Sequence, residues 1–121
     1  MGVPFFAAVG GAKLVGAGLL ALRLGKAGED AVRATYAIGG RELIYVNGRL
    51  RIPDGINLAM KTVSEVKNVS YQAYTRQIRD YVDYARANGM QFNLFVRPGA
   101  QLSAPLEAAV KSGEITLKVI P

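Results

Sequence analysis

Asp54, Glu65 and Lys67 are the residues of this chain whose types and spacing best suit chemistry. Glu65 and Lys67 stand two apart in the run S-E-V-K-N-V, so on a strand both side chains leave the face that also carries Val63. Asp54 follows Pro53 and precedes a glycine, a place where chains turn. A hairpin joining the two segments sets Asp54 beside Glu65. Two adjacent carboxylates and a lysine make a site for a hard cation. Such a cation lowers the pKa of a bound water and polarises a phosphate, while the lysine orients the water or offsets developing charge. The chemistry this suits is in-line attack on a phosphodiester. The plainer alternative is a solvated strand face carrying a Glu–Lys pair.

Composition removes most rival chemistries. The 121 residues include no His and no Cys. Catalytic triads, histidine general bases, thiolate metal sites and disulfides are therefore excluded. Any metal must be held by oxygen, which favours Mg²⁺ or Mn²⁺. Fifteen basic and nine acidic side chains leave a net charge of +6, and a small basic protein attracts polyanions, of which nucleic acid is the commonest. The length suits one domain with one core.

The elements that must position these residues can be read from pattern. Residues 1–25 form an apolar, Gly/Ala-rich segment with only Lys13 and Arg23 charged, and residues 26–121 form the domain proper. The apolar segment lacks a positive n-region, so it is a poor signal peptide. A helix packed on the domain or on a partner, a junction with a longer polypeptide, and a membrane span all remain open for it.

After it the order reads α-β-β-β-α-β with a small tail. A helix is expected over residues 29–38, closed by Gly39-Gly40, and a strand over 42–46. Asn47-Gly48 signals a hairpin, and residues 49–54 alternate so that Leu50, Ile52 and Asp54 share one face. A strand is expected over 58–69, with the Asp54 hairpin turning through residues 55–58. An amphipathic helix follows over 71–88, with Tyr74, Ile78, Tyr81, Val82 and Ala85 inward. Then come a strand over 91–96, a Ser103-capped helix through Lys111, and a strand over 114–120.

Arg33, Arg41, Arg49, Arg51, Lys61, Arg76 and Arg79 surround this core, with Tyr71, Tyr74 and Tyr84 interleaved on the helix side. Of these, Arg51, Arg76 and Arg79, together with Tyr81, are the candidate nucleic-acid contacts, through phosphates and stacked bases. A scattered solvated shell over core tyrosines is the bland reading.

Five blocks, in order across residues 28–121, carry a wider likeness: R-I-P-D-G, S-E-V-K-N-V, S-Y-Q-A-Y-T-R-Q-I-R-D-Y-V-D-Y-A, F-N-L-F-V-R-P-G-A-Q-L-S-A-P-L and S-G-E-I-T-L-K-V-I-P. Together they resemble the PD-(D/E)xK restriction-endonuclease-fold toxin domains that end bacterial polymorphic toxins. The resemblance implies an α/β restriction-endonuclease-like core, a mixed sheet flanked by helices. It makes Asp54, Glu65 and Lys67 the catalytic set, with Asp54 and Glu65 as metal ligands. Gln77 and Tyr81 match the Q-x-x-x-Y pattern after the E-x-K strand in RecB-like nucleases, which adds Gln77 to the catalytic residues. Glu29 matches a first-helix glutamate that reaches the metal in several members, although an acid early in a helix is also ordinary capping.

The resemblance further implies a secreted or delivered effector acting in the cytoplasm of a competitor cell. A cognate immunity protein, acidic to match the +6 charge, and a longer delivery polypeptide N-terminal to this chain go with it. DNA stands ahead of RNA as the expected substrate. Two other classes compete: a non-catalytic nucleic-acid-binding module on the same fold, and a membrane-acting toxin using the apolar N-terminus.

Overall fold

A computed structural model describes residues 8–121, with side chains described from residue 18 onward. Helix α1 (Ala8–Thr35) leads into a hairpin of β1 (Ile44–Val46) and β2 (Arg49–Arg51). Strands β3 (Gly55–Asn57) and β4 (Thr62–Lys67) follow, then β5 (Tyr71–Gln72) and α2 (Arg76–Ala87). The chain closes with β6 (Gln91–Val96), β7 (Gln101–Leu102), α3 (Ala104–Lys111) and β8 (Thr116–Val119). The main sheet has the order β3-β4-β6-β8. Strand β3 is antiparallel to β4, whereas β4, β6 and β8 run parallel, so the sheet is mixed.

Helices cover both faces, and the strand sequences require it. Phe92 to Val96 of β6 are buried without interruption, as expected of a central parallel strand. Val63, Leu94, Val96 and Phe92 pack with Ile78, Tyr81, Val82 and Ala85 of α2 and Leu106 and Ala109 of α3. On the opposite face Val66, Phe95 and Ile120 pack with Val32 and Ile38 at the end of α1 and just beyond it.

Several expectations hold as drawn. Asn47 and Gly48 both take positive φ, 53° and 76°, and join strands paired Val46 to Arg49, a two-residue turn of the hairpin kind. Ser103 caps α3 by accepting from the Leu106 N–H. Strand β6 has the expected ends.

Others are corrected. The first helix spans Ala8–Thr35, not residues 29–38. Its Ala- and Leu-rich sequence contains no proline, so nothing breaks it at Gly25. Residues 18–27 of α1 are exposed, and among the described side chains of the helix those of its last turns pack on the sheet. No helix among the described residues is long and apolar enough to cross a membrane; residues 1–7 of the apolar segment lie outside the described residues. Helix α2 starts at Arg76 rather than at residue 71, because Thr75 caps it by accepting from the Ile78 N–H. Tyr71 and Gln72 pair instead with β7. The Asp54 hairpin turns through residues 58–61, not 55–58, with Asn57 Oδ1 accepting from the Met60 N–H inside the turn.

The alternation of Leu50 and Ile52 against Arg49 and Arg51 holds, and it is the arginines that face the protein. Leu50 and Ile52 are exposed, and Arg49 and Arg51 point inward at Asp80 of α2. Asp80 is 1% exposed and accepts from Asn47, from both Arg49 Nε and Nη2, and from Arg51 Nε, at 2.8–2.9 Å. A carboxylate this rich in donors outweighs the burial of two leucine-sized side chains, so the hairpin docks by its arginines.

The Arg49 guanidinium, with Asn47 and Arg51, holds the Asp80 carboxyl well below its ordinary range despite burial. A depressed carboxyl contributes stability above its unfolded value, near pH 4, and loses it as pH falls further. Asp80→Asn should therefore lower stability by about 2 kcal/mol at neutral pH and flatten the loss below about pH 4. Urea unfolding at several pH values checks this; parallel curves for the two proteins would contradict it.

Candidate active site

The β3–β4 hairpin builds the site. Gly55 lies opposite Ser64, so the residue before β3, Asp54, meets Glu65. Two hydrogen bonds fix the pair. The Asp54 N–H donates to Glu65 Oε1 at 3.1 Å, and the Val66 N–H donates to Asp54 Oδ2 at 2.8 Å. Each carboxylate thus caps the backbone of the other strand. Both residues are nearly buried, Asp54 at 9% and Glu65 at 5% exposed.

Close backbone contact holds this hairpin in place. Gly39, at φ 85°, lies so near Ile56 that a Cβ there would stand 2.0 Å from the Ile56 carbonyl oxygen. A Cβ on Gly55 would stand 2.3 Å from the Ile38 oxygen. Only glycine fits at either position. Gly39, read from sequence as part of a helix stop, and Gly55 therefore let residues 38–40 lie directly on β3. Arg33 of α1 secures the arrangement by donating to the carbonyls of Gly39, at 2.7 Å, and of Asp54.

Lys67 stands one strand repeat beyond Glu65, on the same face. Its Nζ is 3.1 Å from Glu65 Oε2 and donates at 2.8 Å to Oε1 of Gln77, in the first turn of α2. The helix that follows the E-x-K strand therefore presents Gln77 to the lysine, and the structure joins Asp54, Glu65, Lys67 and Gln77 into one chain of contacts. Burial and the Asp54 carboxylate push the Glu65 carboxyl up to about 7, although Lys67 pulls the other way.

Glu29 reaches the same region from α1, well inside the helix rather than at its start. It accepts from Arg33 Nε at 3.1 Å and from Arg41, and Arg41 Nη2 is also 3.2 Å from Asp54 Oδ1. Sequence reading placed Arg41 only in the general basic shell. Its sole local signal is its place just after Gly39-Gly40, which carries it to the carboxylates. An open cleft of about 570 Å³ lies over the site, lined by Ala21, Leu22, Lys26 and Glu29 of α1 and by Arg41, Asp54, Glu65 and Lys67. Among the described residues, no three acidic side chains stand close enough together to share a metal ion.

The expected nucleic-acid contacts divide. Arg76 and Arg79 are exposed on α2, with Arg79 over the Tyr74 ring at 3.9 Å. Arg51 is held against Asp80. Tyr81 is fully buried beside Phe92, so it cannot stack on a base from solution. Its hydroxyl has no hydrogen-bond partner among the described residues, and burial together with the carboxylates of Glu65 and Asp54 pushes its pKa up.

A mixed sheet with helices on both faces, carrying an acidic pair and a lysine at its hairpin edge, defines a restriction-endonuclease-like α/β fold. The chain belongs to the family described as restriction endonuclease fold toxin 7, which matches residues 25–106. No curated protein and no solved structure matches it.

The raised Glu65 carboxyl has a stability consequence with a definite sign. A carboxyl whose folded value lies above its ordinary 4.5 binds its proton more tightly when folded. Stability is therefore lost as pH rises between about 4.5 and about 7. Glu65→Gln removes that loss. Urea midpoints at acid and alkaline pH should fall less with rising pH in the variant than in the parent; an equal or larger fall would contradict the assignment.

Proposed function

We propose that this chain is a divalent-cation-dependent nuclease that hydrolyses phosphodiester bonds, with DNA as substrate ahead of RNA. The observation that carries the reading is the Asp54–Glu65 pair, locked by each other's backbone at the foot of an open cleft, with Lys67 held by Gln77. The pair suits a hard cation. It is all-oxygen, and burial first and the Asp54 carboxylate second raise the Glu65 carboxyl, so a cation there would offset a charge that Lys67 alone does not. Asp54 and Glu65 would hold Mg²⁺ or Mn²⁺, with Glu29 beside them. The bound cation supplies an activated water and polarises the phosphate.

The chain's own residues do the rest. Lys67 places a positive charge at the mouth of the pair, and Gln77 holds its ammonium in that position. Exposed Arg76, adjacent to Gln77 on α2, suits a phosphate flanking the reacting one, and Arg79, over the Tyr74 ring, adds to the basic surface of that helix. A non-catalytic binding module has no need of an acidic pair with a clamped lysine, so the enzyme reading is the better supported.

Family membership supports the biological setting: a toxin delivered into the cytoplasm of a competitor cell, from a longer polypeptide that precedes this domain. The +6 charge favours an acidic immunity protein in the producer.

Cleavage of plasmid DNA and of total RNA, with Mg²⁺ or with EDTA, tests the reading. Asp54→Ala and Glu65→Ala should each lower the rate by about 10³-fold or more, and Lys67→Ala by about 10²-fold with cation binding retained. Circular dichroism confirms the fold of each. A folded Glu65→Ala protein that cuts as fast as its parent would end the proposal.

A further inference from the structure

We propose that Arg41 is a built-in counter-ion of the site, displaced by the divalent cation and then available to a phosphate of the substrate. This rests on the reading of Asp54 and Glu65 as a cation site. The observation behind it is the contrast between two arginines that share Glu29, of which Arg33 goes on to the Asp54 backbone and Arg41 to the Asp54 carboxylate.

Arg33 is committed to structure. Besides Glu29 it bonds the backbone carbonyls of Gly39 and Asp54, which no ligand can replace. Among the described residues Arg41 bonds only Glu29 and Asp54 Oδ1, both carboxylates and both candidates for the metal. Its side chain is 53% exposed and lines the cleft. The guanidinium therefore neutralises the acidic groups on their open side. An arriving cation competes for the same oxygens.

The backbone supports that exchange. Arg41 follows Gly40, whose carbonyl accepts from the Ile56 N–H at 3.0 Å, so its Cα stays beside the hairpin whatever the side chain does. A long arginine released from this anchor remains at the wall of the cleft. There it meets phosphate oxygens, which accept its planar fork as a carboxylate does.

The two halves of the proposal give effects of opposite sign, which a merely structural ion pair does not. Arg41→Gln removes a competitor, so Mn²⁺ should bind the full chain about tenfold more tightly by calorimetry. The same change removes a phosphate contact. Binding of a short DNA duplex and of an RNA strand, measured with Ca²⁺ in place of Mg²⁺, should weaken several-fold with a salt slope smaller by about 1. Arg41→Lys, which keeps the charge but not the fork, should restore the parent Mn²⁺ affinity more fully than the nucleic-acid affinity. Circular dichroism confirms that both variants fold.

An unchanged or weaker Mn²⁺ affinity in folded Arg41→Gln overturns the proposal while leaving the cation site standing. Unchanged nucleic-acid binding also overturns it. Absence of Mn²⁺ binding in both parent and variant would overturn this proposal and the cation-site reading together.

Discussion

The crossed pair of hydrogen bonds at the β3–β4 hairpin is the constraint on which the rest of the site depends. Asp54 donates its N–H to Glu65, and Glu65's neighbour Val66 donates its N–H to Asp54. The two carboxylates are thereby buried in mutual proximity, an arrangement that would relax if either could turn to solvent. Surrounding elements keep them from doing so. Strand pairing fixes their register, Gly39 and Gly55 let the backbone after α1 press on β3, and Arg33 ties α1 to the Asp54 carbonyl.

Electrostatic compensation is arranged in layers around this pair. Lys67 meets Glu65 from within the cleft and is clamped by Gln77. Arg41 meets Asp54 from the other side and shares Glu29 with Arg33. Even so, the Glu65 carboxyl stays elevated, because burial and its carboxylate neighbour outweigh Lys67. A second acidic centre shows the contrary balance. Asp80 is just as buried, yet three side chains supply it with donors, and its carboxyl is strongly depressed. The same side-chain type thus serves as a docking point on α2 and as a candidate ligand at the hairpin, according to whether its charge is satisfied.

What sequence made legible was local. The Asn47-Gly48 turn, the Ser103 cap, the ends of β6 and the common face of Glu65 and Lys67 depend on residues a few positions apart. Gln77 was singled out with Tyr81 by helical spacing, but its contact with Lys67 depends on the start of α2 at Arg76 and had to come from the structure. What escaped depended on distant partners. The inward turn of Arg49 and Arg51 requires Asp80, about thirty residues on. Tyr81 was expected at the surface as well as in the core, and only the packing of Phe92 and α2 decides that it is buried. Arg41 looked like one basic residue among many until the glycine contact with β3 brought it to Asp54.

The central claim is that Asp54 and Glu65 together form a cation site, and counting bound Mn²⁺ by electron paramagnetic resonance tests it without reference to any substrate. At a pH above about 7, where Glu65 is ionised, the parent should bind about one Mn²⁺ tightly. Asp54→Asn and Glu65→Gln should each abolish that binding while keeping the fold. Equal Mn²⁺ binding by the parent and both folded variants would contradict the account.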